Sequence, residues 1–276
     1  VTISVIPAST FQEWNNPEKW ISYPKTSVPS WVNFLSSDKI PEHKIIDAEV
    51  FQSQENGIFL TSQQFGVSFE YDDFPRDFIF EMKTKYNDSH LVLIKVIRPD
   101  GITLELLSTS LPHSDNETIH NQRYFSTDSM IKKNLNTYKN DFGFDFQVGV
   151  TEIIFSELYT NQIQKGNYIF IVDIYGIEKY VEVLESKMIL GGKAYGLMGT
   201  DELRRDLAIG LLWGTPLALF IGISVSIGSV VVGLIYGVYS GYKGKKTDEV
   251  MMRFNDVIYA LPALPFLIIL AVTISN

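Results

Sequence analysis

The spacing of apolar and polar positions in this 276-residue chain changes near residue 190. Before that point, short runs rich in β-branched and aromatic residues alternate with turn signals. "FIFEMKTKY" (78–86), "HLVLIKVIRPDGITLELLS" (90–108), "FDFQVGVTEIIF" (144–155), "KGNYIFIVDIYG" (165–176) and "EKYVEVLES" (178–186) each read as strands. "RPDG" (98–101) places Pro at i+1 and Gly at i+3 of a type I turn, so 90–108 reads as a hairpin. Short strands at this spacing predict a β-rich, sandwich-like domain over 46–190. Its polar stretch 109–140 reads as loops with a short helix. Ahead of it, residues 1–45 hold Trp14, Trp20 and Trp31 among Pro17, Pro24, Pro29 and Pro41. Prolines so frequent exclude a long helix or a central strand, and predict an extended segment that lays its aromatic side chains on a neighbour.

After Gly191–Gly192 the period becomes helical: Leu203, Leu207, Gly210 and Leu211 share a face. Residues 199–215 read as an amphipathic interfacial helix, capped by Thr200 or Asp201, with Asp201 and Glu202 near its positive end. From 207 to 242 there is no charge in 36 residues. Since roughly 20 residues cross a bilayer core of about 30 Å, 216–242 reads as a transmembrane helix. Residues 243–256 then form a loop, and 257–276 begin a further span delayed by Pro262 and Pro265. The fold class expected is mixed: a β-rich domain followed by α-helical membrane segments.

Charge sharpens this picture. Residues 1–200 carry 17 Lys+Arg and 26 Asp+Glu, a net −9, whereas residues 201–276 carry six of each. The acidic balance argues against nucleic acid as a partner. Lys243, Lys245, Lys246 and Arg253 bias the loop 243–256 toward the cytoplasm, which places everything before about residue 200 outside the cell. The tripeptides at Asn87 and Asn116 match the N-glycosylation pattern and would be accessible there. Both termini fall in apolar stretches, as expected for part of a longer protein.

Candidate chemistry is sparse. With no cysteine, a disulfide framework, a thiolate metal site and a thiol nucleophile are excluded. His113 and His120 are seven apart, a spacing that matches no usual zinc pattern, so no metal site is expected. The chain has no phosphate-binding glycine loop for nucleotide hydrolysis and no nucleophile elbow, and no cofactor is expected. In the spanning run, Ser229, Gly233, Gly237 and Gly241 repeat at intervals of four. They open a groove for a second helix, or a smooth wall along a path. Arg253 and Asp256 are three apart and can pair, either as an edge ion pair or as a device holding helix register.

"GTDELRRD" (199–206), the small-residue helix after it and "SGYKGKKTDEVMMRFNDVIYALP" (240–262), in that order and spacing, resemble the inner-membrane permease subunits of ABC importers. The likeness is to the dipeptide/oligopeptide/nickel class, in the subunit with the Gly-Thr-Asp-x-x-Gly-Arg-Asp motif. Gly199, Thr200, Asp201, Arg205 and Asp206 match the first motif. Met252, Arg253, Asp256 and Pro262 match the second, in which Leu261 stands where phenylalanine is commoner. Arg204 departs from the first, whose usual residue is glycine. More loosely, "NPEKWISYPKTSVPSWVNFLSSDKIPEH" (16–43) and the enlarged exterior region resemble archaeal members.

The resemblance implies no enzyme activity in this chain. It implies a homologous permease partner, two cytoplasmic ATPase subunits, an extracellular substrate-binding protein and a plasma-membrane location. It also implies a coupling loop later in the longer protein. Oligopeptides or dipeptides are the implied cargo; oligosaccharides are the alternative in similar archaeal systems. Two rival readings stay open: a membrane-anchored β-sandwich receptor, and a membrane enzyme with an exterior catalytic domain.

Overall fold

The computed structural model describes residues 12–113, 118–143, 149–177, 179–260 and 262–274. The parts of the expected extended segment before residue 12, the stretch 144–148, Asn116 and Leu261 lie outside these residues. The chain divides into two compact units, Val1–Leu212 and Trp213–Asn276.

The first unit is built on two antiparallel sheets, preceded by two single helical turns, α1(Pro17–Trp20) and α2(Val32–Leu35). One has the order β1(Lys44–Asp47), β9(Glu182–Gly191), β4(Asp77–Tyr86), β7(Thr118–Phe125). The other runs β2(Glu49–Glu55), β3(Ile58–Phe69), β8(Gly166–Gly176), β5(Leu91–Ile97), β6(Thr103–Ser110). Period-2 alternation assigns the inner faces. Phe65, Val67 and Phe69 of β3 are buried, as are Phe78, Phe80 and Met82 of β4 and Val92, Ile94 and Val96 of β5. Aromatic rings join the layers: Phe65 meets Phe80 at 5.7 Å, and Phe78 meets Phe170 at 5.9 Å. The sandwich-like expectation therefore holds, with the β5–β6 hairpin closed at "RPDG" by Gly101 N–H to Arg98 O, 3.0 Å.

Two segments differ from their sequence reading. Residues 150–155 form helix α4(Val150–Phe155), not a strand. A short apolar run is ambiguous by periodicity. Here Glu152 reaches back to the Gly149 N–H at 3.0 Å, and Thr151, Ile153, Ile154 and Phe155 are all buried. The polar stretch 109–140 contains strand β7 as well as α3(Ser129–Tyr138). β7 is an edge strand whose polar side chains are compatible with an exposed position. Pairing with β4, Thr84 Oγ1–H to Gln122 Oε1 at 2.9 Å and the Tyr86–His120 ring stack at 4.6 Å hold it.

Arg98 is the polar centre of this unit. Its side chain has no solvent exposure. Nη1–H donates to the carbonyls of Ile153 and Ile154 at 3.0 and 2.9 Å, so the C-terminal end of α4 is capped by a guanidinium. Nη2–H donates to Ser156 O and Gln164 Oε1, and Asp100 accepts from both Nε and Nη2. Burial alone would raise the Asp100 pKa, but Arg98 and the Ile102 N–H hold it below the ordinary value.

In the second unit, α5(Leu207–Lys243), most of which lies here, is followed by α6(Lys245–Ala260) and α7(Ala263–Ile274). The stretch read as a loop, 243–256, is mostly helical. The chain turns at Gly244 and Lys245, both at positive φ, and the helix-favouring run from Lys245 then proceeds without a breaker. Residues 257–260 complete α6, and the next helix starts after Pro262. Tyr236 O–H to Met251 O at 2.7 Å and Ser240 to Asp248 fix α6 against α5.

Arg98→Met would leave three carbonyls and Asp100 without their buried donor. We expect a loss of about 3–5 kcal/mol, read as a lower urea midpoint for the unfolding of the first unit.

Candidate functional site

The motif "GTDELRRD" is a tight loop, not the first turn of a helix. α5 begins at Leu207, and Thr200 and Asp206 form an isolated antiparallel bridge across the loop. The expected interfacial helix over 199–215 is thus corrected: eight residues of loop lead into one continuous helix that passes through Pro216. The cause is local hydrogen bonding that competes with the helix. Asp201 Oδ1 accepts from the N–H groups of Leu203 and Arg205, both at 2.9 Å, while Oδ2 accepts from Arg205 Nε at 2.7 Å. Burial would raise the Asp201 pKa, but these donors hold it below the ordinary value. The helix cap is Asp206, neither Thr200 nor Asp201: its Oδ1 accepts from Ala208 N–H at 2.8 Å. Leu207 N–H is satisfied by Gly199 O at 3.1 Å.

The same loop is stitched to the segment 14–30. Thr200 is buried, and its hydroxyl donates to Pro24 O at 2.6 Å and accepts from Ser27 N–H at 3.0 Å. Thr26 N–H donates to Asp201 O, and Thr200 N–H to Ser27 O. Gly199 sits at φ +74°, where a Cβ would stand 2.1 Å from Ser27 O, so glycine is required twice over. Trp14 lies under the Arg205 guanidinium, 5.0 Å from ring centroid to carbon, and edge-on to Trp20 at 5.3 Å. A Cβ on Gly210 would meet the Trp14 ring at 2.7 Å. The neighbour that the aromatic segment was expected to cover is therefore this loop and the first turn of α5.

Arg204, the residue that departs from the resembled motif, is explained by the same geometry. Its φ is +66°, a left-handed conformation that glycine adopts without cost. Its guanidinium spans two elements: Nη2–H meets Asp77 Oδ2 at 2.9 Å at the start of β4, and Nη1–H donates to Tyr23 O at 2.6 Å. Beside this pair, His43 packs edge-on to Tyr195. Burial, aided by the Arg204 charge and opposed by Asp77, lowers the His43 pKa to about 4. Sequence reasoning missed Arg204, His43, Ser27 and Tyr23 as members of the site. The departure from glycine at 204 was the signal available.

The second group of motif residues lies in the other unit. Met252 and Asp256 are exposed on α6, and Pro262 precedes α7. Arg253 pairs with Glu249 at 2.8 Å rather than with Asp256. A carboxylate four residues N-terminal to a cation is the favoured helix arrangement. Ser229, Gly233, Gly237 and Gly241 fall along α5. A Cβ added at any of the three glycines meets nothing within 4 Å, and Ser229 O–H bonds back to Val225 O. α5 is long and apolar enough to cross a membrane, whereas α6 and α7 pass that test only as a pair bent by 76°. At about 1.5 Å per residue its 37 residues span about 55 Å, longer than a bilayer core. Among the described residues no group of three metal-ligating side chains occurs.

No family model matches. The chain is 38% identical over 78 residues to the oligopeptide transport system permease protein OppC of Bacillus subtilis (strain 168), covering 28% of this chain and 26% of that protein. It is 42% identical over 74 residues to the dipeptide transport system permease protein DppC of the same organism, covering 27% and 23%. A longer match, 32% over 131 residues, joins it to OppC of Lactococcus lactis subsp. lactis (strain IL1403), covering 48% and 40%. The chain thus spans about a quarter of the length of the first curated relatives it matches. Over that part it is similar to peptide-transport permeases. Among solved structures, TmCBM61 in complex with β-1,4-galactotriose covers 56% of this chain and 89% of its own at 8% identity, with a TM-score of 0.21.

Two outcomes test the clasp. Arg204→Gly and Arg204→Ala both lose the Asp77 bond, but only alanine keeps the backbone strain. The glycine variant should be about 1 kcal/mol the more stable in thermal unfolding. His43 is neutral when folded, so between about pH 6.5 and pH 4 the unfolded chain binds the extra proton. Stability of the first unit should fall across that window by up to about 3 kcal/mol, and His43→Gln should flatten the slope in urea titrations.

Proposed function

We propose that this chain is a membrane-embedded permease subunit of a binding-protein-dependent ABC importer that carries oligopeptides or dipeptides. The observation that carries the reading is the similarity to named peptide-transport permeases, in a chain where a motif loop leads directly into a long uncharged helix. In this reading the chain is multi-pass in the plasma membrane. Residues before about 200 are extracellular and the turn after α5 is cytoplasmic, as its lysines favour. The subunit works beside a homologous permease, two ATPase subunits that hydrolyse ATP, and an extracellular binding protein that delivers cargo.

The motif residues then take positional roles rather than catalytic ones. Gly199, Thr200, Asp201, Arg205 and Asp206 fix where the helix enters the bilayer. Ser229, Gly233, Gly237 and Gly241 offer a close-approach face to another helix. Met252, Arg253, Asp256 and Pro262 lie at the cytoplasmic edge. The receptor reading gives no reason for a hydrogen-bonded loop of this sequence before a glycine-striped helix.

The test is reconstitution of the complete complex in vesicles with its binding protein and labelled oligopeptides. ATP-dependent uptake of peptide supports the reading; a binding protein that retains no peptide overturns the cargo. The sandwich offers a second measurement. β1 and β9 are paired neighbours, Lys44 opposite Leu190, so the chain enters and leaves the sandwich side by side. Excising 45–189 with a short glycine–serine link should spare membrane insertion and weaken binding-protein-dependent uptake. Full uptake by that variant would rule out a docking role for the sandwich.

A further inference from the structure

The first unit exposes an apolar surface that the clasp does not use. Residues 26–37 and 194–200 contain no charged side chain, although they belong to a stretch of chain with a net charge of −9. The two loops lie side by side: Val28 N–H donates to Lys193 O, Tyr195 N–H to Val28 O, and Ser30 N–H to Gly196 O, at 2.8 to 2.9 Å. They present Trp31, Phe34, Leu35, Leu197 and Met198 to solvent, with Phe34 89%, Leu35 79% and Leu197 73% exposed. Trp31 has satisfied its only donor on Leu197 O at 3.0 Å, so what it leaves exposed is hydrocarbon ring.

We propose that these two loops form an apolar foot seated in the interfacial layer of a lipid bilayer. The inference rests on the proposed membrane reading of α5. Three observations favour lipid as the occupant. First, Met198 is followed directly by the clasp, whose Gly199 carbonyl accepts the first N–H of α5, so the loops are tied to the start of the apolar helix. Second, beyond the charged loop 201–206 the chain exposes further apolar side chains, Leu207 and Leu211, where the uncharged run begins. Third, the foot has no charge with which to specify a protein partner, whereas aromatic and aliphatic side chains with satisfied polar atoms suit the headgroup–acyl boundary. Such insertion reaches about 5–10 Å into the boundary and does not depend on anionic lipid. It would hold the extracellular unit against the membrane and limit its tilt about the helix entry.

Because the chain has no cysteine, single cysteines carry a spin label without background. Phe34→Cys and Leu197→Cys change exposed positions and leave the core intact. Ile119→Cys is the far control: Ile119 pairs with Lys85, eight residues along β4 from Asp77, where Arg204 is anchored, or about 26 Å away. Val231→Cys, within the uncharged run, reports whether α5 is in the bilayer.

The full chain is reconstituted in phosphatidylcholine vesicles, and label accessibility to oxygen and to a water-soluble nickel chelate is compared. The expected result is an oxygen-to-nickel ratio at Phe34→Cys and Leu197→Cys several-fold above that at Ile119→Cys and approaching that at Val231→Cys. Val231→Cys in the bilayer with both foot labels as open to nickel as Ile119→Cys overturns the foot alone. Val231→Cys in water overturns the membrane reading and the foot with it. Foot labels that become shielded from both reagents only when a second permease subunit is added overturn lipid in favour of a protein contact.

Discussion

One carboxylate organises the loop that leads into α5. Asp201 satisfies two backbone N–H groups and a guanidinium inside a loop of eight residues. Without it those donors would face the helix start unpaired, and the loop would be free to extend α5 toward its N-terminus. With it the chain reverses, Thr200 bridges Asp206, and Asp206 becomes the cap. A helix whose first 36 residues carry no charge has no charged side chain of its own to fix its start. Its first residue is set by the loop before it, through Asp201 and the Asp206 cap.

The aromatic segment 14–31 supplies the other half of that constraint. It has no long helix or strand to rigidify it, since its prolines forbid both. It is ordered instead by what it lies on: Trp14 against Arg205 and Gly210, the Pro24 carbonyl on Thr200, and Ser27 on both Thr200 and Gly199. A small residue on a helix face, such as Gly210, leaves room for a close neighbour by the spacing rule for small residues. In the structure it admits an indole of its own chain. The same spacing rule applied to Gly233, Gly237 and Gly241 describes positions with open space around them.

The parts of the fold that depend on local pattern were legible in the sequence. The hairpin at "RPDG", strand β4 and the long apolar helix follow from alternation, turn chemistry and hydropathy, which act within a window of ten to twenty residues. The misread parts depend on distant partners. Helix α4 is apolar enough to be a strand. Its carbonyl ends are capped by Arg98, more than fifty residues earlier in the chain. β7 is polar enough to be a loop, and it becomes a strand because β4 offers an edge. The motif at 199–206 was recognised by its letters but given the wrong conformation. Helical spacing of Leu203 and Leu207 suggested a helix, whereas the bonds that exclude one come from Asp201 and from residues some 175 positions away.

Arg204 shows how a departure from an expected glycine can be absorbed. The backbone conformation that glycine favours is retained, at a cost of about 1 kcal/mol. The side chain that glycine lacks then makes contacts glycine cannot: an ion pair to Asp77 at the start of β4 and a bond to the Tyr23 carbonyl. Both partners belong to the enlarged first unit, one to the sandwich and one to the aromatic segment. Without Asp77 and Tyr23, arginine at this position would keep the strain without the compensation. Arg204 thus joins the loop ahead of α5 to the sandwich and to the aromatic segment. One long side chain in the loop therefore ties it to two separate elements of the first unit.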